Sequence, residues 1–137
     1  MKAAAIALAV LSIFSAGSAS AEPFTILIYE PDAETALRSD ATDKGQAYWA
    51  GYGLFAKEAQ AAGVLRGGSA LHTDGKTKAL AGGQTSDGPF AQSTLKLSGY
   101  FQIDLKTMDE ALAWAAKVPA ANAGALEVRQ GYPAPGM

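Results

Sequence analysis

Between Phe24 and Arg129 the chain carries strand and helix signatures in the order β-α-β, an insert, then β-α-β again, and a short chain with that order has few ways to close. Phe24-Thr25-Ile26-Leu27-Ile28-Tyr29 is a run of β-branched and aromatic residues too short for a helix, apolar on both faces, and Pro31 stops it. From Thr42 to Ala62 the residues Tyr48, Tyr52, Phe55, Ala59 and Ala62 recur at helical spacing and form one stripe. Asp40 or Thr42 can cap the start of this helix, and Gly63 can adopt the left-handed conformation past its end. Gly45, Gly51 and Gly53 each cost up to about 1 kcal/mol against Ala, so they read as tolerated poor helix formers in a helix held by packing.

Val64-Leu65-Arg66 predicts a second strand, with Gly67-Gly68 as a bulge or bend before Ser69-Ala70-Leu71. Asp74-Gly75 makes a turn, and Lys76 to Ala81 reads as a short edge strand. In the strand Leu97 to Asp104, Leu97, Gly99, Phe101 and Ile103 form a greasy face, and Ser98, Tyr100, Gln102 and Asp104 a polar, aromatic one. Thr107-Met108-Asp109-Glu110 fits a capping box whose Glu110 carboxylate reaches back to the cap. The helix it opens would put Ala111, Leu112, Ala115 and Val118 on the core, with Lys117 at its negative end and Pro119 shortly after. Asn122-Ala123-Gly124 is a turn. Ala125 to Arg129 is the last strand, with Leu126 and Val128 on one side and Glu127 and Arg129 on the other.

This order is the split βαβ arrangement, and right-handed crossovers place both helices on one side of the sheet. Leu27, Tyr29, Tyr100, Gln102, Glu127 and Arg129 would then project from the uncovered side. Three large side chains there are uncomfortable in water, which predicts a second copy covering them: a two-fold homodimer with its sheets face to face around a small polar cavity. The alternative is a monomer with a half-wet sheet.

Residues 1–21 read as a secretory signal: one charge at Lys2, an apolar run from Ala3 to Phe14, and small residues leading to Ala19-Ser20-Ala21. The run is shorter than the roughly 20 residues a membrane-crossing helix needs. Residues 22–130 would then be the domain and 131–137 a loose tail. The expected location is the periplasm or outside the cell, with no membrane contact after cleavage. The 137-residue chain has no cysteine, so it has no disulfide framework and no thiolate metal site, and carboxylates with His72 are the only conceivable ligands. Its 11 basic and 13 acidic residues are scattered, unlike the concentrated positive field that nucleic acid requires. Gly51-Tyr52-Gly53 lies in a helical pattern and lacks the third glycine of a dinucleotide fingerprint. No P-loop, G-x-S-x-G or H-E-x-x-H occurs, and neither a cofactor nor a metal is expected.

Asp87-Gly88-Pro89-Phe90, followed by Leu97-Ser98-Gly99-Tyr100-Phe101, resembles the DGPF-motif branch of the YCII-related family. Ile28-Tyr29-Glu30, Ala61-Ala62-Gly63-Val64-Leu65, Asp109-Glu110-Ala111-Leu112-Ala113-Trp114-Ala115-Ala116 and Leu126-Glu127-Val128-Arg129 extend the resemblance, in order, over about residues 24–130. It implies an α+β, ferredoxin-like fold with an antiparallel sheet, of the dimeric α/β-barrel type. It also implies an acidic residue, sometimes with a histidine, in the dimer cleft. Asp87 matches the acidic position. The first helix offers Tyr48, Trp49 and Tyr52 where other branches carry the histidine, a departure that removes a His/Asp acid-base pair, and the export signal is a further departure.

Asp87 reads either as a general acid or base in the cleft or as a turn residue accepting backbone N–H bonds ahead of Gly88-Pro89, and the two roles can coexist. Tyr29 and Tyr100 could lend hydroxyls to a ligand, or serve as interface side chains. Arg129 could anchor an anionic ligand, or pair across the sheet. His72, beside the Thr73-Asp74-Gly75 turn, reads as exposed more than as a ligand-binding imidazole. The leading functional expectation is a small exported dimer that binds a small polar or aromatic molecule between its sheets, with Asp87 available for proton transfer. Its rivals are a noncatalytic binding or regulatory module and a cofactor-free monooxygenase or isomerase, the last by analogy of fold.

Overall fold

The computed structural model describes residues 20–136, so the expected signal sequence lies almost wholly outside the described residues. The elements are β1 (Glu22–Glu30), α1 (Asp32–Thr35) running into a 3-10 turn (Ala36–Ser39), α2 (Asp43–Ala61), β2 (Leu65–Ala70), β3 (Lys78–Ala81), β4 (Gln84–Asp87), β5 (Lys96–Leu105), α3 (Met108–Ala115), α4 (Ala120–Ala123) and β6 (Ala125–Gln130). Four strands form an antiparallel sheet in the order β2-β5-β1-β6, and β3 and β4 form a separate two-stranded hairpin. This is the ferredoxin-like α+β arrangement. One core joins Phe24, Ile26 and Ile28 of β1 and Ile103 of β5 to Phe55 and Ala59 of α2 and Ala111 and Ala115 of α3, so both long helices lie on the same side.

Local chemistry explains the boundaries. Thr42 caps α2, its hydroxyl accepting from the Lys44 amide at 3.3 Å, while the Asp40 carboxylate accepts from the Thr42 amide at 2.7 Å. Those bonds from Thr42 hold the Asp40 carboxyl below the usual carboxylate range. Gly63 takes φ +73 past the helix end, as its position predicts. Thr107 caps α3 by accepting from the Glu110 amide at 3.2 Å, but Glu110 returns its carboxylate to the Lys106 amide, one residue ahead of the cap. The hairpin turns through Gly82 and Gly83, both at positive φ, which suits a tight two-residue turn.

Several expectations are corrected. Ser98 does not join Tyr100 on the open face. Ile28 pairs with Gly99 and Tyr29 with Leu97, leaving Ser98 as the extra residue of a bulge. The bulge reverses the phase of the strand: Ser98 is buried on the helix side, and Leu97 stands on the open face, 40% exposed. Leu112 is exposed as well, because Ala111 and Ala115 define the inward line of α3 and a residue one step on is turned about 100° away. Ala62, expected at the end of the α2 stripe, is exposed past the helix end. Lys117 falls beyond α3 and bonds Glu58 of α2 at 3.3 Å. The expected turn at residues 122–124 is largely α4, and Asp87, expected in a turn, ends a strand. The glycines of α2 differ from one another: Gly45 is buried against the backbone at Asp40 and Leu37, whereas Gly53 faces open space.

Candidate functional site

The site begins with a carboxylate in an apolar row. Along β1, Phe24, Ile26 and Ile28 are buried toward the helices, and alternation carries Glu30 to the same side at 1% exposure. A charge so placed needs partners, and three side chains converge on its Oε1. Ser98 donates at 2.6 Å, Tyr48 at 2.9 Å and the Arg38 guanidinium at 3.2 Å. Each arrives from a different element: the β5 bulge turns Ser98 inward, α2 supplies Tyr48, and the 3-10 turn after α1 supplies Arg38.

Arg38 is fastened on all sides. Its Nε donates to the Tyr48 hydroxyl at 2.8 Å, Nη1 to the Leu71 carbonyl at 2.6 Å, and Nη2 to the Ser98 carbonyl at 2.7 Å as well as to Glu30. The guanidinium therefore clasps the end of the sheet to α2. Trp49 closes the edge, its indole N–H donating to the Arg38 carbonyl at 3.1 Å and its ring meeting Tyr48 edge-on at 5.2 Å.

Beside this cluster, between α2 and the β2–β5 edge, lies a cavity of about 220 Å³ bounded by Glu30, Tyr48, Trp49, Tyr52, Ser98 and Phe101. A dry cavity of about 150 Å³ admits benzene, so this one has room for a single substituted ring. The Tyr52 hydroxyl is buried beside Glu30, with no bond of good geometry to it or to any other described residue. Burial first, then the neighbouring Glu30 charge, pushes the Tyr52 phenol far up, and it stays protonated. Tyr48 is raised by burial too, with the bond from Arg38 working against the shift.

The residues singled out from sequence are distributed differently. Tyr100 borders this cavity, but its pairing with Leu27 places its side chain on the opposite, uncovered face of the sheet. Tyr29 and His72 meet in a wider groove of about 670 Å³ on the hairpin side, with Lys96, Leu97 and Phe90. His72 is exposed, its Nδ1 3.0 Å from the Asp74 carboxylate, which this contact holds below its usual range. Arg129 lines neither cavity and bonds Glu127 of its own strand at 2.8 Å. Asp87 stands on the hairpin, its side chain 86% exposed and paired with Lys78 of the adjacent strand. The described residues contain no group of three or more His, Asp or Glu able to hold a metal.

Glu30 appeared in the sequence only as part of a family-like tripeptide, and Arg38 not at all. Extending the β1 alternation one residue past Tyr29 would have exposed Glu30 as a buried acid. A family model for the YCII-related domain matches residues 24–133, most of the chain and every residue of this cluster. The chain belongs to the YCII-related family. No curated protein matches the chain. In this YCII-related domain, then, the described chain places its buried polar chemistry between α2 and the sheet, away from Asp87.

Proposed function

We propose that this YCII-related domain, of the DGPF branch and exported through residues 1–21, is a small-molecule binding module. Its ligand is a small polar or aromatic molecule held in the cavity between α2 and the sheet. One observation carries the reading: the buried Glu30 carboxylate, which among the described residues accepts its three side-chain bonds on Oε1 alone, borders an aromatic-walled cavity with room for one ring. An incompletely paired buried polar group costs on the order of 1–3 kcal/mol, a penalty that a ligand N–H or O–H meeting Oε2 would remove. Ala70 pairs with Gly99 and lines the cavity, so a larger side chain there would occupy it.

Thermal-shift screening against metabolite pools tests this, because a ligand of the native state raises Tm by mass action. The expected result is a hit whose shift disappears in Ala70→Phe and persists in Asp87→Asn. A shift lost in Asp87→Asn and kept in Ala70→Phe moves the site to the hairpin, and proton transfer by Asp87 then returns as the better reading.

We also propose that the module is a homodimer. Leu27 and Tyr100 are Cα partners on the uncovered face, Tyr29 and Leu97 continue it, and no element of the four-stranded sheet's own helical layer reaches that side. Light scattering at micromolar concentration should give twice the mass of one chain, and Leu27→Lys should halve it. A single-chain mass for the parent protein refutes the dimer and leaves the α2 cavity untouched, since all its described walls come from one chain.

A further inference from the structure

The Glu30 carboxylate is loaded on one oxygen only. Ser98, Tyr48 and Arg38 all donate to Oε1, at 2.6, 2.9 and 3.2 Å, and among the described residues none donates to Oε2. Tyr52, buried beside the carboxylate, makes no bond of good geometry to it. Among the described residues the Tyr52 hydroxyl is the one fully enclosed side-chain polar atom left unbonded, so Oε2, unbonded too, keeps an opening. That opening is narrow, since the side chain is only 2% exposed. Glu30 borders the cavity of about 220 Å³ and neither of the two wider grooves, so Oε2 opens into that cavity, among the rings of Tyr48, Trp49, Tyr52 and Phe101.

Charge narrows what can meet it. Glu30 and Arg38 already balance each other at 3.2 Å. Arg38 commits four of its five N–H groups to Tyr48, Leu71, Ser98 and Glu30. The N–H left over, on Nη1, gives a ligand carboxylate no bidentate face, and Oε2 would repel the anion. An ammonium would add a second positive charge to a carboxylate that Arg38 neutralises, and would bring three N–H groups to one open oxygen. An uncharged O–H or ring N–H meets Oε2 with one charge-assisted bond and buries no new charge.

We infer that the ligand is an uncharged single-ring compound presenting an O–H or N–H donor, of the phenol or azole kind, and that Glu30 Oε2 selects it by accepting that hydrogen bond. The inference rests on the binding reading above and adds the ligand's charge, its donor character and the atom that reads it. A ring with a methyl group in place of the hydroxyl would cover Oε2, exclude water and leave a charged oxygen unpaired. Glu30→Gln should reverse the selection. Its amide oxygen has to stay under the three donors that now meet Oε1, which turns the amide NH2 into the place of Oε2 and makes that place a donor.

The test is an NMR titration of the isotope-labelled protein with five one-ring probes: phenol, toluene, acetophenone, benzoate and benzylammonium. Phenol should shift the amides of Gly68, Ala70, Ser98 and Gly99, which line the cavity, and bind roughly tenfold or more tightly than each of the others. In Glu30→Gln, acetophenone should overtake phenol. Toluene binding the parent protein as tightly as phenol overturns the role of Oε2, and acetophenone doing so overturns the donor assignment. Neither comparison needs a variant. Benzoate or benzylammonium matching phenol overturns the assignment of an uncharged ligand, and a folded Glu30→Gln protein that keeps the lead of phenol overturns recognition by Glu30. If none of the five moves those amides up to its solubility limit, the binding reading itself fails.

Discussion

Glu30→Ala should cost about 3–5 kcal/mol of folding stability, more than the loss of any surface ion pair in the chain. The Glu30 side chain is 2% exposed and that of Arg38 19%, so removing the carboxylate strands a guanidinium away from bulk water. It also takes the acceptor from the Tyr48 hydroxyl and leaves Ser98 only the longer bond to the Ile28 carbonyl at 3.2 Å. By contrast, Lys78–Asp87 and Arg129–Glu127 are exposed pairs of the kind that contribute about 0–1 kcal/mol. For a domain of this size the predicted loss lowers Tm by on the order of 10–20 °C. Glu30→Gln, which keeps the shape and loses the charge, should fall between the parent and Glu30→Ala. Replacing both partners, Glu30→Met with Arg38→Met, should cost less than Glu30→Ala alone, since no charge is then left unpaired. Urea unfolding of the four proteins measures this, and a Glu30→Ala protein within about 1 kcal/mol of the parent contradicts the account of the cluster.

That cluster marks the boundary of what periodicity reveals. The two helices, the four main strands and the side on which the helices lie all follow from repeats of about 3.6 and 2 residues, which report local geometry. Ser98 and Leu97 escaped that logic because a bulge is set by how β5 meets β1, and one extra residue reverses every face before it. Arg38 lies between Pro31 and Thr42, a segment with no apolar repeat, and its partners Leu71 and Ser98 are 33 and 60 residues away. Tyr48 and Tyr52 were visible as a helical stripe, yet a stripe says only that two rings face inward. Which of the two hydroxyls is satisfied depends on Glu30 and Arg38 arriving from elsewhere. Asp87 shows the reverse case. Its tetrapeptide was the most conspicuous motif in the sequence, and the fold puts its carboxylate on an exposed hairpin against Lys78.

Gly45→Ala and Gly53→Ala should shift stability in opposite directions, although both exchange a poor helix former for the best one within the same helix. At Gly45 a Cβ would intrude into the Asp40 carbonyl oxygen and lie 2.9 Å from that of Leu37. Both obstacles are backbone, held by the turn that delivers Arg38 to Glu30, with the Asp40 amide bonded to the Leu37 carbonyl at 3.1 Å. Relief therefore requires α2 to move away from that turn, at a cost of about 1–3 kcal/mol or more that outweighs the gain in propensity. At Gly53 nothing lies within 4 Å of the added carbon, so the propensity gain of about 1 kcal/mol should appear undiminished. Because the Gly45 clash falls on the segment carrying Arg38, Gly45→Ala should also weaken ligand binding in the cavity, and Gly53→Ala should not. Parallel urea melts and probe titrations of the two variants read both effects, and a Gly45→Ala protein as stable as Gly53→Ala contradicts the close packing of α2 on the Arg38 turn.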